Sequence, residues 1–175
     1  MKLKKKEIIL WVFETISKFF KRIVLVCDES KKEKLEKIFD KKIKIISLKR
    51  FSFKKALSEG EKFLKKKYYF LISSNMPFIL EKTIRELLVR FEKNVSCICY
   101  FWSLKKFEPY CAIYKKNFLK EGRVENLIKS SRRKILVPIS KETYEFFKVN
   151  SEKDLKDARK ILRSKWGKKF SELKF

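Results

Sequence analysis

Tyr68-Tyr69-Phe70-Leu71-Ile72, followed at once by Ser73-Ser74-Asn75-Met76-Pro77, is the stretch on which the fold turns. Five apolar or aromatic residues without polar alternation predict a strand covered on both faces, the pattern of a parallel sheet. The polar loop behind them ends the strand, because Asn favours turns and the residue before Pro77 avoids the helical region. Arg22–Cys27 (RIVLVC) carries the same unbroken apolar run, and Lys42–Ser47 (KIKIIS) reads as a second strand with alternation.

Helical spacing surrounds these strands. Ile8, Ile9, Val12, Phe13, Ile16, Phe19 and Phe20 line one side of a helix over Glu7–Phe20. Ser30–Phe39, Ser52–Lys66 and Leu80–Phe91 read as further helices. Strands follow at Val95–Trp102, Tyr110–Tyr114 and Ile135–Val137, with helical segments at Lys116–Leu119 and Val124–Ser131 and an extended piece at Glu145–Val149. Ser151–Leu162 is a helix with Ser151 as its N-cap and Asp154 in its first turn. Strand and helix alternate, which predicts right-handed βαβ units in an α/β three-layer sandwich around a mostly parallel, Rossmann-like sheet. No linker or repeat divides the chain, so residues 1–163 form one domain and 164–175 a basic C-terminal tail. In such sheets ligands sit at the carboxyl ends of the strands, which directs attention to Asp28, Ser73–Pro77 and the turn before Ser151.

Composition narrows the chemistry. The 175 residues contain no His, which removes imidazole bases, His-assisted nucleophiles and His-ligated zinc. The three glycines, Gly60, Gly122 and Gly167, stand too far apart to form a phosphate-cradling loop. Cys27, Cys97, Cys99 and Cys111 lie in apolar runs without C-x-x-C spacing and read as buried, reduced thiols. The longest apolar run, Ile8–Phe13, is far shorter than the ~20 residues of a membrane-spanning helix. The basic start lacks a signal-peptide core and cleavage site, so a cytoplasmic globular protein without membrane contact is expected. The net charge of +26 invites a nucleic-acid partner. Of the 47 basic residues only nine are Arg, and they do not cluster with aromatics, which favours a solvated Lys-rich surface.

Three segments carry a family resemblance. Tyr69-Phe70-Leu71-Ile72-Ser73-Ser74-Asn75-Met76-Pro77-Phe78-Ile79 is similar to a strand followed by a C-D-M-P-F loop. Phe107-Glu108-Pro109-Tyr110-Cys111-Ala112-Ile113-Tyr114 is similar to an E-P-L-x-A-L-Y strand. Phe147-Lys148-Val149-Asn150-Ser151-Glu152-Lys153-Asp154-Leu155 is similar to F-x-N-x-N-T-P-E-D-L. In this order they resemble the MobA-like nucleotidyltransferases, over about Glu7 to Leu162. The resemblance implies a nucleotide-diphospho-sugar-transferase type of fold, and transfer of GMP from GTP to molybdopterin with Mg²⁺. It also implies Asn75 at the metal position, with Lys148 and Asn150 facing the acceptor; Asp28, at the end of its strand, could touch a base or ribose.

The sequence departs from that pattern at three points. The family's first strand, its L-A-G-G loop and the Lys behind it have no counterpart, so an N-terminally truncated domain lacking the first strand is expected. The metal-holding Asp is replaced by Asn75, which brings no charge to a hard cation. Ser52-Phe53-Lys54-Lys55-Ala56 stands where the guanine-approaching segment would be. Two further functions are therefore expected alongside the enzyme: a degenerate nucleotide-binding or adaptor module, and a basic nucleic-acid-binding protein. Each site residue also has a structural reading. Asp28 and Asn150 could cap helices, Asn75 could be a turn residue, and Lys148 could be a solvated cation. Glu108-Pro109 could mark a strand entry, and Arg132-Arg133 either a phosphate clamp or an exposed turn.

Overall fold

The computed structural model describes residues 1–40, 42–120, 122–139 and 143–174. A small hairpin, β1 (Lys2–Leu3) and β2 (Lys6–Glu7), leads into α1 (Ile8–Ile16). Then come β3 (Val24–Asp28), α2 (Lys32–Phe39), β4 (Lys44–Leu48), α3 (Phe53–Lys62) and β5 (Tyr68–Ile72). The second half runs α4 (Glu81–Val89), β6 (Cys97–Ser103), β7 (Lys106–Lys115), α5 (Val124–Ser130) and β8 (Lys134–Pro138). Two helices close the chain, α6 (Glu152–Arg163) and α7 (Lys165–Lys174).

The main sheet has the order β5-β7-β6-β8. β7 runs antiparallel to both β5 and β6, whereas β6 and β8 are parallel, so one strand of the four is reversed. β3 and β4 form a separate parallel pair. The expected α/β architecture is present. Its central sheet, however, is divided between β3 and β5.

Alternation along the strands builds the layers. Ile98 and Tyr100 face one core with Ile79 and Leu87, while Cys97 and Cys99 face the other with Leu57 and Ile128. All four cysteines are buried and unpaired, as their apolar settings predict. No described helix is long and apolar enough to cross a membrane.

Three boundaries differ from the sequence reading. Lys116–Leu119 is a turn, closed by Phe118 N–H donating to the Lys115 carbonyl. Glu145-Phe146 is also a turn, closed by Phe147 N–H on the Tyr144 carbonyl. The larger correction concerns 164–175. Lys165–Lys174 is helix α7, not a tail, because Trp166 and Phe170 supply an apolar stripe inside a basic stretch. Phe170 is 1 % exposed and joins Leu3, Trp11, Phe78 and Leu162 in one core. Gly167 permits the close approach of α7 to α6, since a Cβ there would lie 2.4 Å from the carbonyl oxygens of Ile161 and Leu162.

Candidate functional site

The loop after β5 is held from both ends. Ser73 N–H donates to the Tyr110 carbonyl at 2.9 Å, and Met76, Phe78 and Ile79 are fully buried behind the turn. Asn75 is fixed between these anchors and remains partly exposed. Its Oδ1 accepts from Ser73 Oγ at 2.7 Å, and its Nδ2 donates to Asn150 Oδ1 at 2.5 Å. The Asn75 carbonyl accepts from Val149 N–H at 2.9 Å. Residues 75 apart in sequence thus meet through side chain and backbone, and the Ser73–Pro77 loop and the turn before α6 lie side by side.

Below the turn lies a buried ion pair. Lys148 Nζ donates to both oxygens of Glu108 at 2.9 and 3.0 Å, and stands 4.6 Å from the ring centroid of Tyr110. Glu108 is 2 % exposed and also accepts from Tyr110 N–H at 3.0 Å. Burial pushes its carboxyl above the usual carboxylate range, and Lys148 opposes that rise. Lys148 is therefore neither a solvated cation nor a free contact for an acceptor. Its charge is spent on a carboxylate that would otherwise be buried alone.

The N-terminus of α6 is likewise engaged. Asp154 Oδ2 accepts from the backbone N–H groups of Asn150 and Ser151, both at 2.9 Å, while Ser151 Oγ accepts from Asp154 N–H at 3.2 Å. These bonds, the Asn150 N–H first, hold the Asp154 carboxyl below its ordinary value. This is a reciprocal capping box. The chain's own carboxylate thus takes the Asn150 and Ser151 N–H groups at this helix end, where an anion would otherwise bind. Ser151→Ala should cost about 1 kcal/mol of stability, read as a lower urea midpoint at unchanged slope; an unchanged midpoint would refute the cap.

Asp28 stands apart from this cluster. Its Oδ1 accepts from Ser30 N–H at 3.0 Å and Ser30 Oγ at 2.7 Å, capping the 3-10 turn Glu29–Lys31, and the hydroxyl bond chiefly lowers its carboxyl pKa. Among the described residues no hydrogen bond links it to Asn75, Lys148 or Asn150. Arg132 and Arg133 lie in the turn leading to β8, where the Arg133 carbonyl accepts from Ser96 N–H at 2.6 Å.

A resident Mg²⁺ does not fit Asn75. The side chain is neutral, both of its polar atoms are engaged by Ser73 and Asn150, and the nearby carboxylates serve Lys148 and the helix cap. Among the described residues no group of three or more Asp, Glu or Cys is arranged to hold a metal ion. A hard cation lacks the carboxylate oxygens it favours.

Sequence reasoning did not foresee Ser73 as the residue orienting Asn75, nor Glu108 as the partner of Lys148. The E-P segment offered a signal, since a carboxylate inside an apolar strand needs a cation. A cavity of about 610 Å³ lies between α4, the end of β8 and α7, lined by Thr83, Glu86, Tyr100, Glu145, Phe146 and Trp166. Its buried Glu145 is bonded to Thr83 and to Lys82, 3.1 Å away.

With this geometry in view, the comparisons with known proteins are consistent. No family model matches the chain. A probable molybdenum cofactor guanylyltransferase from Natranaerobius thermophilus is 29 % identical over 188 aligned positions, covering 93 % of this chain and 86 % of that protein. The chain is similar in sequence to that guanylyltransferase, and its fold is shared with solved nucleotidyltransferases. The 4-diphosphocytidyl-2C-methyl-D-erythritol synthase of Anaerococcus prevotii superposes with a TM-score of 0.73 at 14 % identity, over 94 % of this chain and 92 % of that one. A nucleotidyl transferase from Methanothermobacter thermautotroptrophicus gives 0.73 at 12 % identity, over 93 % and 84 %. In this chain, Asn75 and Asn150 face each other at a rim where such α/β sheets place ligands.

Proposed function

We propose that the protein is a molybdenum cofactor guanylyltransferase-like module that binds a guanine nucleotide, and a phosphorylated acceptor of the molybdopterin kind, at the Asn75–Asn150 cleft. The direct hydrogen bond between the two carboxamides carries this reading, because it joins the two loops into one polar floor. Asn150 is exposed, so its carboxamide is open to a bound ligand, while Ser73 holds Asn75 in register for it. The residues present support binding and orientation. Without a Gly-rich loop or a carboxylate at position 75, they do not themselves neutralise a departing pyrophosphate.

A general nucleic-acid role is less well supported. Exposed lysines stand on the β1–β2 hairpin, α2, α3 and α6, elements that belong to different core clusters, and they do not form one stripe.

Isothermal titration separates the readings. GTP should bind this protein more tightly than CTP, and Asn150→Ala should weaken GTP binding about tenfold, the loss of one good hydrogen bond. Equal affinity for both nucleotides, or an unaffected variant, would overturn the guanine-cleft assignment.

A further inference from the structure

We propose that the cavity of about 610 Å³ between α4, the end of β8 and α7 is a binding site for an aromatic cation that carries its charge on an amidine- or guanidine-type edge.

The polar wall of this cavity is a chain of four side chains. The Tyr100 hydroxyl lies 2.9 Å from both the Thr83 carbonyl and Glu86 Oε2 and donates between them, while the Thr83 hydroxyl donates to Glu145 Oε2. Thr83, Tyr100 and Glu145 are each at most 5 % exposed, and Glu86 opens towards solvent. Both hydroxyl protons are engaged within the wall, so what it turns to a guest is carboxylate lone pairs. A guest must therefore bring the N–H donors, and a planar fork of them meets a carboxylate through two parallel bonds.

Charge points the same way. Burial pushes the Glu145 carboxyl above its usual range; Lys82 opposes that rise, and the nearby Glu86 adds to it. The two carboxylates thus share one negative field, which a positive charge between them relieves. Their present partners face solvent. Lys82 Nζ is 3.1 Å from Glu145 with its side chain 70 % exposed, and Arg90 is 3.3 Å from Glu86 with its side chain 48 % exposed. Such pairs contribute little and yield to a cation held inside the cavity. Lys169 of α7 also stands exposed at the rim, where its ammonium remains hydrated.

The remaining wall decides the body of the guest. Phe146 lies against Tyr100 with ring centroids 4.9 Å apart, and Trp166 stacks on Phe170 at 5.2 Å. Ring faces beside two carboxylates suit a flat cation, which gains stacking and cation–π attraction together. The volume matches the roughly 300–1,000 Å³ of small-molecule sites. A carboxylate that only tied the turn at Glu145-Phe146 to α4 would need neither a second carboxylate nor open space beside it.

The test uses the whole 175-residue protein, without nucleotide, and p-aminobenzamidine, a ring-borne amidinium whose fluorescence rises in apolar surroundings. It should bind with a dissociation constant below about 1 mM, and the neutral isostere p-aminobenzamide at least about tenfold more weakly. Glu145→Gln keeps an acceptor for Thr83, and both it and Glu86→Gln should weaken p-aminobenzamidine about tenfold. Glu33→Gln, on the exposed side of α2, should leave binding unchanged. Should Glu145→Gln melt below the parent, the amidine-to-amide ratio on the unaltered protein and Glu86→Gln decide. Absence of binding, equal binding of the amide, an unaffected Glu86→Gln, or an equal loss in Glu33→Gln would overturn the proposal. Neither Asn75 nor Asn150 lines this cavity, so failure here leaves the guanine-cleft reading untouched, and failure of GTP to bind leaves this one untouched.

Discussion

Lys148→Met is expected to destabilise the protein by roughly 3 kcal/mol at pH 8, the cost of leaving a buried carboxylate without its cation. Glu108 is 2 % exposed, and Lys148 supplies two of its three hydrogen bonds. The deficit should depend on pH in a defined direction. Burial already raises the Glu108 carboxyl above its ordinary value of 4.5, and removing Lys148 raises it further. An acid whose folded pKa exceeds its unfolded one adds stability below the unfolded value and loses it as pH rises through the folded value. The variant's deficit should therefore be small near pH 4.5 and grow steadily towards pH 8. Urea unfolding across that range measures it. In the double variant Glu108→Gln, Lys148→Met the deficit should no longer grow towards pH 8, since no titrating carboxyl remains at the site. A single variant as destabilised at pH 4.5 as at pH 8 would show that lost packing, not charge, sets the cost.

Phe170→Ala should cost about 3–5 kcal/mol, the range for emptying a buried aromatic site. The ring is 1 % exposed and lies 5.2 Å from the Trp166 centroid, 5.5 Å from Phe78 and 6.2 Å from Trp11. Phe78 follows directly behind the Asn75 loop, so the effect should extend to the cleft. GTP affinity should fall with stability in this variant, while Lys168→Ala, on the exposed side of the same helix, should alter either by less than about 0.5 kcal/mol. Differential scanning calorimetry checks the first statement and titration the second. A Phe170→Ala protein that melts with the parent would return 164–175 to the status of a tail.

Much of the layered architecture was legible before any coordinates. The unbroken apolar runs at 24–27 and 68–72 became strands, and Ile8 to Ile16 became the helix that their spacing predicted. The pairing of Cys97 with Cys99 on one face followed from period two alone. α7 was less legible, because polar or small residues hold seven of its ten positions, and net charge masks so short an apolar stripe. The site was legible by position but not by bonding. Asn75 and Asn150 fell where the loops were expected, yet sequence could not show that each answers the other, that Lys148 is spent on Glu108, or that Asp154 fills the helix end.

Local order in this chain came from sequence alone: apolar period, cap residues and turn chemistry act between neighbours and need no distant partner. What only the tertiary structure decided is which polar groups remain available. A carboxamide, an ammonium or a strand edge is free or engaged according to what lies across the fold, and those partners stand tens of residues away. The same physics divides the sheet: each strand's apolar character is written locally, but whether both of its edges are paired depends on neighbours that its own sequence does not name.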